Sequence, residues 1–299
     1  GKKFITVPNT ELKKDHLNVS QVDEYKFIPH DFKLKNQVVF LCQGAFARGR
    51  GFEKLILSWR KVDEKCLLIL RGPENEYINE LKEYTEKFGL LNQSVFFLPP
   101  VKENELVCAA MEADVGIIPY DPNTNVLYQY CCPNKLSQYM AASLPIISNK
   151  LEGVSKIINQ AQCGYIEDFD CERDLVQRIN LLAESKELRH KFGSNARHFF
   201  LENYNWENQS DLMYAKIKEL IEAKGNYINS KTILLEPLLN HNRLTLSLKK
   251  DLQKHGLLSK SIFHPLIFIY SRQQWMQMLY RRVLPHKIRQ SVKNYLNIS

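Results

Sequence analysis

The sequence predicts a doubly wound α/β fold, a parallel six-stranded sheet with helices on both faces. Three observations carry this. Six short apolar runs recur between residues 38 and 168, helical patterns separate them, and a glycine-bearing loop follows the first run. A length of 299 residues accommodates one such domain and an appendage.

The first run, residues 38–42, is continuously apolar, as a strand buried on both faces must be. Further strand-like runs lie at 66–71, 94–99, 115–119, 145–148 and 164–168. Helical patterns fall near 50–61, 75–88, 103–112, 133–143 and 151–161, and three more follow at 172–184, 187–203 and 206–223. In the helix opening at Pro133, Leu136, Tyr139, Met140 and Ser143 are spaced to face the core. Asn134, Lys135 and Gln138 share the opposite face beside a helix N-terminus, whose free N–H groups and partial positive charge suit a phosphate. The plainer alternative is an amphipathic helix with solvated polar residues.

Residues 44–51, GAFARGRG, follow the first strand. Glycines let the backbone approach a ligand, and Arg48 and Arg50 supply charge-assisted donors. A tight turn with exposed arginines is the alternative. The spacing is near a Walker A loop, but Arg50 stands where lysine belongs and Gly51 where Ser or Thr would hold magnesium. The dinucleotide pattern G-x-G-x-x-G is absent. In doubly wound sheets ligands bind beyond the carboxyl ends of the strands, where strand order reverses. The 44–51 loop, the turn at Arg71 and Gly72, residues 99–101 with Pro100 and Val101, and the helix at Asn134 all follow strand ends. They are expected to converge on one crevice.

No histidine occurs between residues 37 and 185, so serine–histidine, cysteine–histidine and histidine-ligated zinc chemistry is not expected there. The seven cysteines lack metal-ligand spacing and fit reduced thiols of a cytosolic protein. No metal site is expected.

Several motifs in order resemble the nucleotide-sugar-binding half of GT-B glycosyltransferases of the family-four, group 1 type. They are VPN (7–9), QG…RGRGFEKLI, LLILRG (67–72), VFFLPPV (95–101), EADVGIIPY (112–120), PNKLSQYMAASLPIIS and YNWENQ (204–209). The resemblance spans roughly residues 4–224 and implies transfer of a hexosyl group from a UDP- or GDP-linked sugar, with retention and without a cofactor or metal. It assigns Arg50 and Lys135 to the departing diphosphate. It places Gly44, Arg48, Arg71, Gly72, Pro100, Val101, Tyr130, Asn134 and Gln138 around the donor. The family's two glutamates, eight positions apart, fall on Tyr130 and Gln138, and the second normally accepts bonds from the ribose hydroxyls. Its glycine near the end of this helix is Ser143. An acceptor-binding domain is expected before such a half. Residues 1–36 read instead as an interdomain linker or domain remnant, and the chain begins with glycine, so a fragment or a protein without that domain is expected.

Residues 37–224 therefore read as the donor-binding domain and 225–299 as a basic amphipathic helical tail. From Asn226 onward 12 Lys and Arg oppose 2 acids, so the chain's net +8 arises there. Ile288, Val292, Tyr295 and Leu296 form an apolar stripe opposite Lys287, Arg289 and Lys293; Trp275, Met278, Leu279 and Val283 form another. Such helices read as anchors to an anionic membrane surface, here through 272–299, or as a pair packed on the domain. Nucleic acid is disfavoured, because no aromatic-interleaved motif accompanies the charge. The longest apolar stretch, 262–270, is interrupted by His264 and Pro265 and too short to span a bilayer. The expected location is cytoplasmic, peripheral on the inner membrane face. The leading expectation is a glycosyltransferase acting on a polysaccharide or lipid-linked acceptor. The alternative is a catalytically impaired domain serving as a membrane-associated interaction module.

Overall fold

A computed structural model describes residues 7–16, 27–29 and 37–223. The tail and its apolar stripes lie outside the described residues. The chain divides into two units, Gly1–Leu212 and Met213–Ser299. The architecture below belongs to the first, and residues 213–223 of the second continue its last helix.

The strands are β1 (Val38–Gln43), β2 (Cys66–Arg71), β3 (Val95–Leu98), β4 (Val115–Ile118), β5 (Ile146–Asn149) and β6 (Gly164–Glu167). The helices are α1 (Phe52–Ser58), α2 (Glu76–Glu86), α3 (Leu106–Met111), α4 (Val126–Gln129), α5 (Asn134–Ala141), α6 (Glu152–Ala161), α7 (Glu172–Glu184), α8 (Lys186–Glu202) and α9 (Trp206–Ala223). Every strand is parallel, and the order is β3-β2-β1-β4-β5-β6. The expected doubly wound sheet is therefore present. Only the four-residue α4 was not anticipated among the α-helices; its signal is a single capping asparagine, Asn125, whose side chain accepts from Leu127 N–H.

Strand alternation builds the two cores. Val38, Phe40 and Cys42 join Leu55, Ile56, Leu81 and Ile179 on one face of the sheet. Val39 and Leu41 join Leu136, Met140, Val154 and Phe200 on the other. The central strands are buried along their length, whereas edge strand β6 is half-buried throughout.

The sheet opens where its order reverses. β1 pairs with β2 over six positions but with β4 only at Phe40–Val115 and Leu41–Gly116. Tyr139 of α5 satisfies the backbone beyond that point. Its hydroxyl accepts from Gln43 N–H at 3.0 Å and donates to Leu41 carbonyl at 3.1 Å. Gly116 makes room, since a Cβ there would lie 2.4 Å from the Tyr139 ring. Helix α5 thus props the strand ends apart and begins at the crevice.

Two features of α5 differ from expectation. Leu136, Tyr139 and Met140 are buried as predicted, but Ser143 is exposed, past the helix end, at φ 60°. The left-handed turn that ends the helix removes it from the core face. The polar face is not solvated either, because residues 9–11 cross it, as described below.

Candidate functional site

Loop 44–51 leaves β1, and its glycines serve two different ends. A Cβ on Gly51 would lie 2.0 Å from the Pro119 carbonyl, and one on Gly49 would lie 2.7 Å from Thr124 Oγ1. Both have positive φ, so these glycines close the loop against the segment after β4 rather than against a ligand. Gly44 has only the Lys135 side chain near, at 3.6 Å. Gly72 lets the β2 turn abut that of β1, where a Cβ would meet the Gly44 carbonyl at 2.1 Å.

Arg50 and Lys135 both lie against the ring of Tyr120. The guanidinium carbon of Arg50 lies 5.0 Å from the Tyr120 ring centroid and Lys135 Nζ lies 4.9 Å from it, so the charges are at most about 10 Å apart. Lys135 is 4% exposed, and its Nζ reaches the Cys42 thiol at 3.7 Å. Arg50 donates to the Ala45 carbonyl at 2.6 Å, while its buried Nε has no partner. Among the described residues neither cation pairs with a carboxylate. Burial raises the Cys42 thiol above its usual value, and Lys135 and then Arg50 pull against that rise. Cys131 is pushed up to about 11, first by burial and then by Cys132, again against both cations. A nearly buried lysine held by only a thiol and a ring is costly without a counter-charge. The arrangement is suited to an anion between the two basic groups.

Helix α5 adds donors. Its N-cap is Pro133, which makes no side-chain cap; Leu136 N–H donates to the Pro133 carbonyl at 2.9 Å, and the N–H groups that open the helix have no side-chain acceptor. Asn134 itself is exposed and its Oδ1 accepts from Asn9 Nδ2 at 2.7 Å.

Other expected site residues fall elsewhere. Arg71 is a correction. It is 1% exposed, and its guanidinium donates to the carbonyls of Ala109 at 3.3 Å and Phe27 at 2.6 Å. Burial lowers it from the usual arginine range, and the Glu112 carboxylate pulls it partly back. It ties α3 and residue 27 to the sheet. Arg48 points outward, 69% exposed, ion-paired with Glu80 and lying 5.2 Å over the Tyr77 ring. Pro100 is exposed and Val101 half-buried after β3, and Tyr130 is 66% exposed at the end of α4. Gln138 is 6% exposed, with its carbonyl taken by Gln43 and its amide by Glu11. Sequence reasoning passed over Gln43, Tyr120 and Glu11. A polar residue ending an apolar strand marks the first, and Tyr120 closes the GIIPY motif.

Lys54 of α1 forms ion pairs with the segments after β4 and β6. Asp121 receives Lys54 at 2.7 Å, and Lys54 also reaches Asp170. Among the described residues no three His, Cys, Asp or Glu side chains gather as a metal-binding set, and no helix is long and apolar enough to cross a membrane. The described cysteines are all free; Cys108 is exposed.

The family model for glycosyl transferases group 1 matches residues 25–199, more than half of the chain. An uncharacterized glycosyltransferase of Methanocaldococcus jannaschii is 24% identical over 205 residues, covering 67% of this chain and 49% of that protein. Among solved structures, WaaG, a glycosyltransferase involved in lipopolysaccharide biosynthesis, aligns with TM-score 0.54 and 20% identity, over 69% of this chain and 54% of its own. HepE of Anabaena, solved with UDP-glucose, aligns with TM-score 0.54 and 18% identity, over 71% and 56%. The chain spans about half the length of these relatives. With the parallel sheet, the opened strand ends and this match, the chain belongs to the glycosyl transferases group 1 family.

Proposed function

We propose that the chain is the nucleotide-sugar-binding half of a retaining glycosyltransferase, residues 37–224 forming the donor domain. Arg50 and Lys135 hold the donor's diphosphate against the Gly44 turn and the first N–H groups of α5. When the anomeric C–O bond breaks, negative charge gathers on the departing diphosphate, and fixed cations and N–H donors lower that barrier. Arginine suits the role through its planar fork of donors, and lysine through a point charge. The leaving phosphate takes the acceptor's proton, so no protein base is required. Asn134 lies nearest the diphosphate, Pro100, Val101 and Gly72 line the base and ribose side, and Tyr130 lies at the sugar's rim. Of the UDP- and GDP-linked donors, the likeness to HepE favours UDP. WaaG's printed role favours a lipid-linked saccharide acceptor, and the basic segment 272–299 would bring the domain to an anionic leaflet.

The carrying observation is the pair of cations without carboxylate partners on one aromatic ring. Calorimetric titration with UDP and GDP tests it. Arg50→Ala and Lys135→Ala should each weaken binding about ten- to hundred-fold, the worth of one charged hydrogen bond. Unchanged affinity in both variants refutes the site. One observation favours a second reading, a domain that binds without transfer: the Gln138 amide is already engaged at both ends. Binding of a UDP-sugar with no release of UDP, in the presence of saccharide acceptors, is the result that reading expects.

A further inference from the structure

A line of hydrogen bonds runs from the end of β1, across α5, to residues 9–16. Gln43 Nε2 donates to Gln138 Oε1 at 3.0 Å, and Gln138 Nε2 donates to Glu11 Oε1 at 3.1 Å. Glu11 is fixed by its own backbone. Its N–H donates to Ser137 Oγ at 2.8 Å, and its carbonyl accepts from Trp206 N–H at 2.9 Å. Its second carboxylate oxygen lies 3.6 Å from His16 Nε2, with the side chain 28% exposed.

The line is rich in acceptors. An ionised carboxylate has about four lone-pair sites; on Glu11 one oxygen accepts from Gln138 and the other lies beside His16 Nε2, which leaves further sites on both. The buried oxygens Gln43 Oε1 and Thr10 Oγ1 have no partner. Gln138 stands one turn along α5 from Lys135, so their Cβ atoms are about 5–6 Å apart. A pentose lies at about that remove from the diphosphate of the same nucleotide, and its two neighbouring hydroxyls are hydrogen-bond donors. Gln138 meets them with a neutral amide already bonded at both ends. Glu11 meets them with a carboxylate whose side chain is 28% exposed, and hydrogen bonds to a charged partner are roughly twice as strong as neutral ones.

The geometry points to Glu11 as the residue that accepts the ribose hydroxyls of the bound nucleotide. The carboxylate is delivered to the first turns of α5 from a segment more than a hundred residues away in sequence. This inference rests on the proposal that a nucleoside diphosphate binds at Arg50 and Lys135. It adds a hydroxyl-specific contact that those cations do not supply.

The test is calorimetric titration of the full chain with UDP and with 2′,3′-dideoxy-UDP, and with the corresponding guanosine pair. The unsubstituted protein should prefer the ribose form about ten-fold. Glu11→Ala should bind both forms alike, at the level of the dideoxy nucleotide, because only the hydroxyl-dependent part is lost. A merely structural Glu11 would weaken both forms equally and keep the ratio, and that result overturns the inference. If Glu11→Ala melts before it can be titrated, Glu11→Gln keeps an acceptor for Gln138 Nε2. Its preference should fall to about two- to three-fold; an undiminished ten-fold preference is contrary. Binding that fails on Lys135→Ala, with a ribose preference indifferent to Glu11, sinks this inference alone. No binding of either nucleotide by the unsubstituted protein sinks both.

Discussion

Arg71 and Lys135 are both basic, both at the ends of elements facing the crevice in sequence, and both almost fully buried. Their surroundings set them apart. Arg71 spends its donors on two carbonyls, with Glu112 near enough to raise it against burial. Lys135 ends on a thiol and an aromatic ring and, among the described residues, pairs with no carboxylate. Replacing Arg71 by leucine therefore removes a structural tie. Arg71→Leu should cost about 3 kcal/mol in a urea titration, while the folded fraction binds nucleotide as before. The position of Arg71 could have been read from strand alternation. It shares parity with Leu67 and Ile69, which face the core containing α3 and α5, and the crevice reading overlooked that. For Lys135, helix phase alone separated it from the core residues; the thiol and ring around it come from β1 and the segment after β4. No local pattern encodes them.

The elements around the crevice are tied by single side chains, and two of these ties are testable. Asn75 caps α2 by accepting from Ile78 N–H at 3.0 Å, and its amide donates to the Phe46 carbonyl at 2.9 Å. One residue thus serves a helix start and the 44–51 loop. Asn75→Ala should cost about 1–2 kcal/mol by chemical denaturation. Lys54 of α1 joins the segments after β4 and β6 through Asp121 and Asp170. Burial lowers its pKa, but the hydrogen bonds and charges of those two aspartates outweigh burial and raise it. A group raised on folding stabilises fully below its unfolded value, near 10.4, and loses that contribution as pH climbs through its folded value. The stability difference between the natural protein and Lys54→Met should stay flat through neutral pH and shrink only in the alkaline range above about 10. Thermal melts across pH measure it. At this scale the strands were legible because a sheet covered on both faces demands unbroken apolar runs. The roles of Gly49 and Gly51 were not, since a loop packing on its neighbour and a loop cradling a ligand call for the same residue.

Across the whole described domain, the sequence order of motifs carried the topology, and the topology carried the crevice: β1 and β4 separate, Tyr139 fills the gap, and the loops after them meet. What the chain's linear pattern hid is the segment of residues 7–16. It reads as linker, yet Asn9 bonds Asn134, Glu11 bonds Ser137 and Gln138, and the backbone of Lys13 and Lys14 donates to Glu207. Bonds of that sequence separation leave no periodic trace. The bonds of Asn9 and Glu11 lie along the polar face of α5, where every residue but Asn134 is buried, against the plainer alternative of a solvated face. The account as a whole stands on where one pyrophosphate lies. A crystal structure of the chain with UDP tests this most directly. The account predicts both phosphates between the Arg50 guanidinium, Lys135 Nζ and the N–H groups opening α5, with Tyr120 beneath the cations. Phosphates lodged on the Arg48 side of the loop, or away from α5 altogether, would contradict it.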